Sequence, residues 1–172
     1  MYDCNNKLTL SEIASFQKVM KVITSKGIVI RLRNFEIADI RRLMEIDEES
    51  GLDGDAGLYL ELYDEWPEGF MVVEQGDEVI GFVVLVLTLE GEGRIFSLAV
   101  DSRYRGGGIG RTMLKAAFSV LRQRKIGYVR LEVRVGNQVA HRLYTSLGFL
   151  EIGFIPFYYK DGEGAILMKK VL

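Results

Sequence analysis

A glycine-rich stretch between an apolar segment and a helical pattern constrains the fold of this chain most strongly. Residues 95–100 are a mostly apolar run that predicts a strand, and apolar positions that recur from Ile109 onward predict a helix. Three consecutive glycines and the arginines Arg103, Arg105 and Arg111 lie in and beside the connection. Glycines let backbone N–H groups approach a ligand closely, a helix N-terminus adds free N–H groups, and arginines suit phosphate. The stretch therefore predicts a site for a phosphorylated ligand such as a pyrophosphate.

Known phosphate-binding patterns fit this stretch to different degrees. A Walker A loop requires a glycine where Arg105 stands, five residues before Gly110, and a lysine where Arg111 stands. A dinucleotide fingerprint that starts at Gly106 requires a third glycine, again at the position of Arg111. A third pattern, Arg/Gln-x-x-Gly-x-Gly/Ala, is met by Arg105, Gly108 and Gly110. A glycine-rich turn that binds no ligand is the remaining alternative.

Composition narrows the classes of protein to which the chain can belong. Its 172 residues suit one main domain with a substantial core, and a net charge of −2 gives no reason to expect nucleic-acid binding. Cys4 is the only cysteine and His141 the only histidine, which excludes an intramolecular disulfide, a cysteine cluster and a multi-histidine metal site. The sequence has no signal-peptide pattern and no apolar run long enough for a membrane span, so a cytoplasmic protein is expected.

The chain is predicted to comprise a helical extension, residues 1–27, and a main domain, residues 28–172. In the extension, Thr9 and Glu12 fit a capping box, and apolar residues recur at helical spacing as far as Ile23. In the domain the predicted order is β-α-α-β-β-β-α-β-α-β-β, an α/β arrangement with a mixed sheet. The predicted strands cover residues 28–33, 70–74, 78–89, 94–100, 128–135, 149–154 and 165–171, and the predicted helices cover residues 37–50, 56–63, 108–124 and 136–148.

The chain resembles the GNAT acetyltransferases over residues 28–172. The Arg105-x-x-Gly108-x-Gly110 pattern is similar to the loop that binds the acyl-CoA pyrophosphate in that family. The second half of the family's CoA site is resembled by Leu131-Glu-Val-Arg134, Asn137, Ala140 and Leu143-Tyr-x-x-x-Gly-Phe149. Residues 155–168 resemble the end of N-terminal amine acetyltransferases of the archaeal and ribosomal-protein types. The resemblance implies a GNAT-like, mostly antiparallel sheet with helices on its faces and a splay between its central parallel strands.

The same resemblance implies acetyl-CoA as a co-substrate, bound where the strand that ends at Val100 splays from the strand over residues 128–135. Asn137 would contact the pantetheine arm, although asparagine is also a preferred helix N-cap and both roles are compatible. The transfer requires no metal, and the sequence offers no site for one. The residues implied to bind acetyl-CoA are Leu98, Ala99, Val100, Arg105, Gly106, Gly107, Gly108, Ile109, Gly110, Arg111, Asn137 and Tyr144.

Two residues are predicted to carry the chemistry of acyl transfer to an amine. The amine must be neutral to attack, and an α-amino group with a pKa near ~7.7–8.0 needs only modest help from a base. Glu132 is the candidate general base, directly or through water, and its alternative is an exposed carboxylate paired with Arg130 or Arg134. Tyr144, whose spacing from Glu132 matches the family pattern, is the candidate general acid toward the sulfur, and its alternative is a core tyrosine.

The sequence specifies the acceptor less closely. By resemblance, Tyr158 and Tyr159 lie beside the backbone of a peptide substrate, and the alternative is that they pack on the sheet. The acidic loop over residues 47–55 is either a solvated helix end or a rim that attracts a cationic amine. Two departures from the family pattern leave the acceptor open. Gly164 follows Glu163 where the family usually has Glu-Asp-Ala, and residues 48–51 replace a proline-containing loop.

The leading hypothesis is an acetyl-CoA-dependent N-acetyltransferase that acts on the α-amino group of protein N-termini, by direct attack of the amine on the thioester. The alternatives are an acetyltransferase for a small amine or a lysine side chain, and a non-catalytic acyl-CoA sensor. The expected partners are acetyl-CoA and the amine acceptor, with neither nucleic acid nor a membrane, and the chain is expected to be a monomer or a homodimer.

Overall fold

Eight strands and four helices make up the part of the chain that the structure, a computed structural model, describes, namely residues 20–172. The strands are β1 (Met20–Ile23), β2 (Val29–Asn34), β3 (Phe70–Gln75), β4 (Glu78–Leu87), β5 (Gly93–Val100), β6 (Tyr128–Arg134), β7 (Leu150–Ile155) and β8 (Ala165–Val171). The helices are α1 (Ile40–Glu49), α2 (Ala56–Glu65), α3 (Ile109–Gln123) and α4 (Gln138–Ser146).

The strands form one mixed sheet in the order β1-β2-β3-β4-β5-β6-β8-β7. Every neighbouring pair is antiparallel except β5 and β6, which are parallel. These two strands pair only where Gly93 meets Val129 and Arg94 meets Arg130. Beyond Arg94, β5 stays paired with β4 and β6 with β8, so the sheet opens between them. The predicted mixed, mostly antiparallel sheet with a central splay is confirmed.

The core has two layers, one on each face of this sheet. Helices α1 and α2 pack on one face through Leu43, Ile46 and Tyr59, and α3 and α4 cover the other. Strand β4 alternates between the two layers, which is typical of a strand covered on both faces. On the α3 side lie Ile80, Val83 and Leu85, and on the α1 side lie Val79, Phe82 and Val84.

The N-terminal helix prediction is wrong where it can be compared with the structure. Met20–Ile23 form β1, antiparallel to β2, instead of the last turn of a helix. The turn that joins these strands is closed by Thr24, whose Oγ1 accepts a hydrogen bond from the N–H of Ile28 at 3.2 Å. Pairing with β2 satisfies backbone groups that helical periodicity alone does not take into account. The rest of the predicted helix, with Thr9 and Glu12, lies outside the described residues, and the division at residue 27 stays a prediction.

The other elements lie close to their predicted positions. The predicted helix over residues 37–50 is divided into a 3₁₀ turn (Ile37–Asp39) and α1, and β4 ends at Leu87, two residues early. Among residues 20–172, no helix is long and apolar enough to cross a membrane. The same part of the chain holds no group of three His, Cys, Asp or Glu side chains arranged to hold a metal ion.

Candidate active site

A cavity of about 320 Å³, the splay cavity, opens where β5 and β6 diverge. Its walls come from both strands, from α4, from residues 50–54 between α1 and α2, and from residues 158–160 between β7 and β8. The structure thus brings together six of the residues singled out in the sequence: Leu98, Glu132, Asn137, Tyr144, Tyr158 and Tyr159. Among residues 20–172, β5 has no partner strand on this side beyond Arg94, so its backbone edge is open to a ligand there.

The glycine loop begins where β5 ends and leads into α3. Gly106 and Gly108 have positive φ angles of 76° and 83°, a conformation that side chains other than glycine's rarely tolerate. The backbone N–H groups of residues 106–111 have no hydrogen-bond acceptor within residues 20–172. Together with the positive end of the α3 dipole, these N–H groups form a site suited to an anion.

The three arginines of the loop have different partners. Arg105 donates from Nε to the carbonyl of Val100 at 2.8 Å and from a terminal nitrogen to Ser50 Oγ at 3.0 Å, so it joins the glycine loop to the part of the cavity wall formed by residues 50–54. Arg111 donates to Ser146 Oγ at 2.7 Å and joins α3 to α4. Arg103 is paired with the carboxylates of Asp101 and Glu78.

The turn between β1 and β2 supports the glycine loop from behind. A Cβ atom at Gly107 would overlap the side chain of Ile28, and one at Gly108 would lie 2.6 Å from Ser25 Oγ. The absence of side chains at these two positions therefore permits close packing of the turn as well as access of a ligand to the N–H groups. Ala99 packs in the layer formed by α1 and α2, while Leu98 and Val100 pack against the opposite layer.

Glu132 lies on β6 with its side chain only 9% exposed. Its Oε2 accepts a hydrogen bond from Arg94 Nε at 2.8 Å, so its partner is on the neighbouring strand and is neither Arg130 nor Arg134. Arg94 also donates to the hydroxyl of Tyr158 at 2.6 Å. The other carboxylate oxygen, Oε1, has no hydrogen-bond partner among the described residues and remains available to an amine or a water molecule.

Tyr144 combines the two alternatives that the sequence left open. Its ring packs edge-on against Phe149, with centroids 5.7 Å apart, and belongs to the core layer of α3 and α4. Its hydroxyl has no hydrogen-bond partner within residues 20–172, and the residue lines the cavity. Burial raises the pKa of Tyr144 well above its ordinary value, and the nearby Tyr159 adds to the shift. The side chain is therefore a neutral phenol that can donate a hydrogen bond into the cavity.

Asn137 is the N-cap of α4. Its Oδ1 accepts a hydrogen bond from the N–H of Ala140 at 3.0 Å, the capping role that the residue type predicts. His141, one turn later, contacts Glu151 Oε1 at 2.6 Å. The cap fixes the start of α4, the helix that carries Tyr144.

The acidic segment over residues 47–55 is only partly a solvated helix end: Glu48 and Glu49 are exposed at the end of α1, whereas Asp47, Asp53 and Asp55 have partners within the fold. Asp47 is buried and accepts hydrogen bonds from the hydroxyl of Tyr59 and the N–H of Gly54. Asp53 lines the cavity and contacts Arg134, and Asp55 caps α2 by accepting from the N–H of Leu58 at 3.0 Å. The hydrogen bonds and ion pairs of these three carboxylates therefore stabilise the cavity wall that residues 50–54 form.

The sequence analysis missed several residues of the cavity, among them Arg94, Ser97 and Lys160. Arg134 was named only as a motif residue and as a partner for Glu132. Strand periodicity places Arg134 on the same face of β6 as Glu132, and this signal was sufficient to find it. Arg94 could not be found in this way, because its proximity to Glu132 depends on the parallel pairing of β5 with β6.

A second groove, of about 690 Å³, lies between β1–β3 and α3. It is larger than the splay cavity, but it contacts neither Glu132 nor Tyr144, and it is bordered by Met20, the first described residue. The candidate site is therefore the smaller cavity, where the open strand edge, the carboxylate and the phenol meet.

Comparison with known proteins gives concordant results. The sequence pattern of the acetyltransferase (GNAT) family matches residues 37–149. An uncharacterized N-acetyltransferase of Methanocaldococcus jannaschii, MJ1530, is 36% identical over 81% of this chain and 90% of its own length. An N-alpha-acetyltransferase of Sulfurisphaera tokodaii is 32% identical over 83% of this chain and 93% of its own. The crystal structure of Ard1 from Thermoplasma volcanium superimposes with a TM-score of 0.80 at 35% identity, covering 83% of this chain and 97% of that one. These matches confirm the family predicted from the sequence motifs, and the chain belongs to the GNAT family of N-acetyltransferases.

Proposed function

We propose that the protein transfers an acetyl group from acetyl-CoA to the α-amino group of protein N-termini. The observation that carries the proposal is the splay cavity, which both Glu132 and Tyr144 line. The acceptor class is supported by the names of relatives such as the Sulfurisphaera tokodaii N-alpha-acetyltransferase.

The described residues fit acetyl-CoA at two places. The free N–H groups of residues 106–111 and the side chain of Arg111 would hold the pyrophosphate. The open edge of β5 at Leu98, Ala99 and Val100, with Asn137 opposite, would hold the pantetheine arm. The bound thioester supplies the acetyl group, and the residues of the chain position the amine and handle its protons.

Glu132 is the base in this proposal. Arg94 fixes one oxygen of its carboxylate, so the free Oε1 can take a proton from the ammonium group of the acceptor, directly or through water. An α-ammonium group is about half neutral near pH 8, so the base shifts an equilibrium that is already close to balance. The C–N bond then forms as the C–S bond breaks, and the electron pair of that bond leaves on sulfur. The second proton that the nitrogen loses on becoming an amide passes to solvent water, which in turn supplies the proton that the thiolate takes up.

Tyr144 faces the leaving group in this proposal. Its raised pKa makes complete proton transfer to a thiolate unfavourable, because an ordinary thiol has a pKa of only about 8.5. Tyr144 therefore acts as a hydrogen-bond donor that stabilises the negative charge developing on sulfur, and solvent completes the protonation. A preorganised donor of this kind in a buried site is worth more than the same group in water.

Tyr158 and Tyr159 are proposed to border the acceptor. Their rings meet edge-on, with centroids 5.0 Å apart. Burial and the adjacent Tyr158 raise the pKa of Tyr159 to about 12, so its phenol stays neutral at physiological pH. A neutral phenol can both donate to and accept from the backbone of a peptide, whereas a phenolate could only accept.

The test of the acceptor is the release of free CoA with three sets of amines. The first set is short peptides that start with Ser, Ala or Met. The second is the same peptides with a blocked N-terminus and one internal lysine, and the third is small free amines. Turnover of the first set alone is expected. Turnover of only the second or third set would falsify the N-terminal acceptor, and acetyl-CoA binding without any turnover would support the sensor alternative.

The test of the mechanism is a pair of isosteric substitutions. Glu132→Gln is expected to lower kcat by about 10²–10⁴-fold, the usual contribution of a general base. Tyr144→Phe keeps the ring against Phe149 and is expected to lower kcat by about 10–100-fold, because one hydrogen bond to a charged group is lost. Tyr128→Phe, at the exposed start of β6, is the control and should leave kcat unchanged. A Tyr144→Phe enzyme with normal kcat would remove that residue from the mechanism.

A further inference from the structure

Two segments from distant parts of the chain enclose the acceptor side of the splay cavity. One is the loop of residues 50–54, between α1 and α2, and the other is the connection of residues 158–163, between β7 and β8. Residues of both segments line the cavity. Neither segment is in regular secondary structure of its own, so the shape of the acceptor site depends on what holds the two in place.

Arg134, the last residue of β6, contacts both segments. One terminal nitrogen lies 2.7 Å from Asp161 Oδ2 and 3.0 Å from Glu163 Oε2. The other lies 3.5 Å from Asp53 Oδ2 in the opposite loop. The guanidinium group is also stacked on the ring of Tyr159, with its central carbon 3.8 Å from the ring centroid. The side chain of Arg134 therefore joins the loop of residues 50–54, the connection of residues 158–163 and the ring of Tyr159 in the cavity wall.

A second contact runs between the two segments directly. Lys160 Nζ donates to the backbone carbonyl of Asp53 at 3.2 Å. On the other side, Glu163 Oε1 accepts from the N–H of Gly136 at 2.6 Å, immediately before the N-cap of α4. The Arg134 cluster, defined as Arg134 with Asp53, Asp161 and Glu163, thus links the two segments to the start of α4.

Charge explains why Arg134 is needed at this position. Without it, three carboxylates would face one another, with Lys160 as the nearest remaining cation, and like charges at such distances repel. The Arg134 side chain is 21% exposed and those of Asp53, Asp161 and Glu163 are 38%, 61% and 32% exposed, so solvent partly screens the charges and the effect of the cluster depends on the number and geometry of its contacts. Burial opposes the charge on Arg134, but Glu163 and Asp161 outweigh it, and the pKa of the guanidinium group lies above its usual value. A planar fork can also serve several carboxylates at once, which the single ammonium group of a lysine cannot do.

We infer that Arg134 is a positioning residue for the acceptor: it sets the separation of residues 50–54 and 158–163, and with it the fit of the amine substrate. It acts through these loops and Tyr159, and touches none of the reacting atoms. The inference rests on the proposed function for the nature of the acceptor. An ordinary surface ion pair at this position would affect stability slightly and leave substrate binding unchanged.

The experiment measures KM for the acceptor peptide, KM for acetyl-CoA and kcat in Arg134→Met, Arg134→Lys and Asp53→Asn. Arg134→Met should raise the peptide KM by about tenfold, because misplaced binding groups weaken productive binding, while the acetyl-CoA KM stays within about twofold. Arg134→Lys should give an intermediate peptide KM, since it keeps the charge and loses the fork. Arg130→Met is the control, because Arg130 is on the same face of β6 and does not line the cavity.

Asp53→Asn provides an independent variant at an exposed loop position, so it remains informative if Arg134→Met does not fold. It should raise the peptide KM less than Arg134→Met does, and the double variant should resemble Arg134→Met alone, because both changes break the same contact. An unchanged peptide KM in the Arg134 and Asp53 variants, or an equal rise of both KM values, overturns the inference. Failure of the proposed function has a different signature, namely no peptide turnover by the unmodified protein.

Discussion

Removing the hydroxyl of Tyr59 tests which hydrogen bonds fix the loop of residues 50–54 to helices α1 and α2. Tyr59, on α2, is 0% exposed, and its hydroxyl donates to Asp47 and lies 3.0 Å from Ser97 Oγ on β5. Asp47 in turn accepts the N–H of Gly54, so the pair joins α1, α2 and the loop of residues 50–54. Tyr59→Phe removes this hydroxyl and preserves the ring, which packs against Phe70 and Phe82.

The expected loss of stability follows from the burial of Asp47. A hydrogen bond to a charged group contributes about 1.5–3 kcal/mol, and leaving a buried partner unsatisfied adds to the loss. Because Ser97 also loses its contact, we expect the free energy of unfolding to fall by about 3 kcal/mol in Tyr59→Phe. For a domain of this size the melting temperature should then fall by roughly 6–12 °C. Tyr63→Phe is the matched control, one turn later on α2, and should change stability by less than about 0.5 kcal/mol.

The pH dependence distinguishes this explanation from a simple packing defect. Burial raises the pKa of the Asp47 carboxyl above its ordinary value, and the hydrogen bond from Tyr59 opposes the shift. In Tyr59→Phe the pKa should rise further, so the destabilisation is largest when the carboxyl is charged and shrinks as pH falls through the folded-state pKa. Urea unfolding at pH 7.5 and at a series of lower pH values measures the loss of stability in each charge state. A loss that stays constant over the whole series, or a loss no larger than that of Tyr63→Phe, would refute the reasoning.

Three further predictions concern the cofactor side and the helix ends. The Arg103 guanidinium holds the pKa of Asp101 far below its usual range, so Asp101→Asn should destabilise the protein at neutral pH. The stabilisation from a lowered carboxyl pKa is fully present above the unfolded value of about 3.9 and is lost gradually as pH falls from there through the folded-state pKa, so the difference in free energy of unfolding between this variant and the unmodified protein should shrink progressively below about pH 4. Lys125 follows the C-cap of α3 and has a φ angle of 60°, which glycine adopts without steric strain. Lys125→Gly should therefore raise the free energy of unfolding by about 0.5–1 kcal/mol, measured by urea unfolding. Asn137→Ser keeps a capping oxygen and should preserve stability while raising the acetyl-CoA KM, whereas Asn137→Ala should also lose about 1 kcal/mol by thermal unfolding. If Asn137→Ser has a normal acetyl-CoA KM, Asn137 serves only as the cap.

Local patterns in the sequence were sufficient to predict the glycine loop and the elements on either side of it. The loop of residues 105–111, the strand before it and the helix after it are consecutive in the chain, so their geometry follows from local rules for strands, glycines and helix N-termini. Glu132 and Tyr144 could also be named, because they belong to one strand–helix unit with a family-like spacing. That both face one cavity was implied by the resemblance and became visible only in the structure.

The N-terminal region shows where local periodicity fails. Apolar residues at Met20 and Ile23 fit a helical stripe, but the backbone of Met20–Ile23 pairs with β2. An edge strand of four residues is stabilised by a neighbour that lies later in the chain, and no window of the sequence before residue 24 contains that information.

The glycine loop, the order of strands and helices in the main domain and the choice of Glu132 and Tyr144 as candidates thus came from the sequence itself, because each depends on residues near one another in the chain. The tertiary structure decided the partners of the charges. Arg94 reaches Glu132 across a parallel strand pair, Asp47 is buried under Tyr59, and Arg134 joins loops about 80 and 30 residues away. Such contacts depend on how strands are ordered in the sheet, and charged residues have no periodic pattern that would reveal the order.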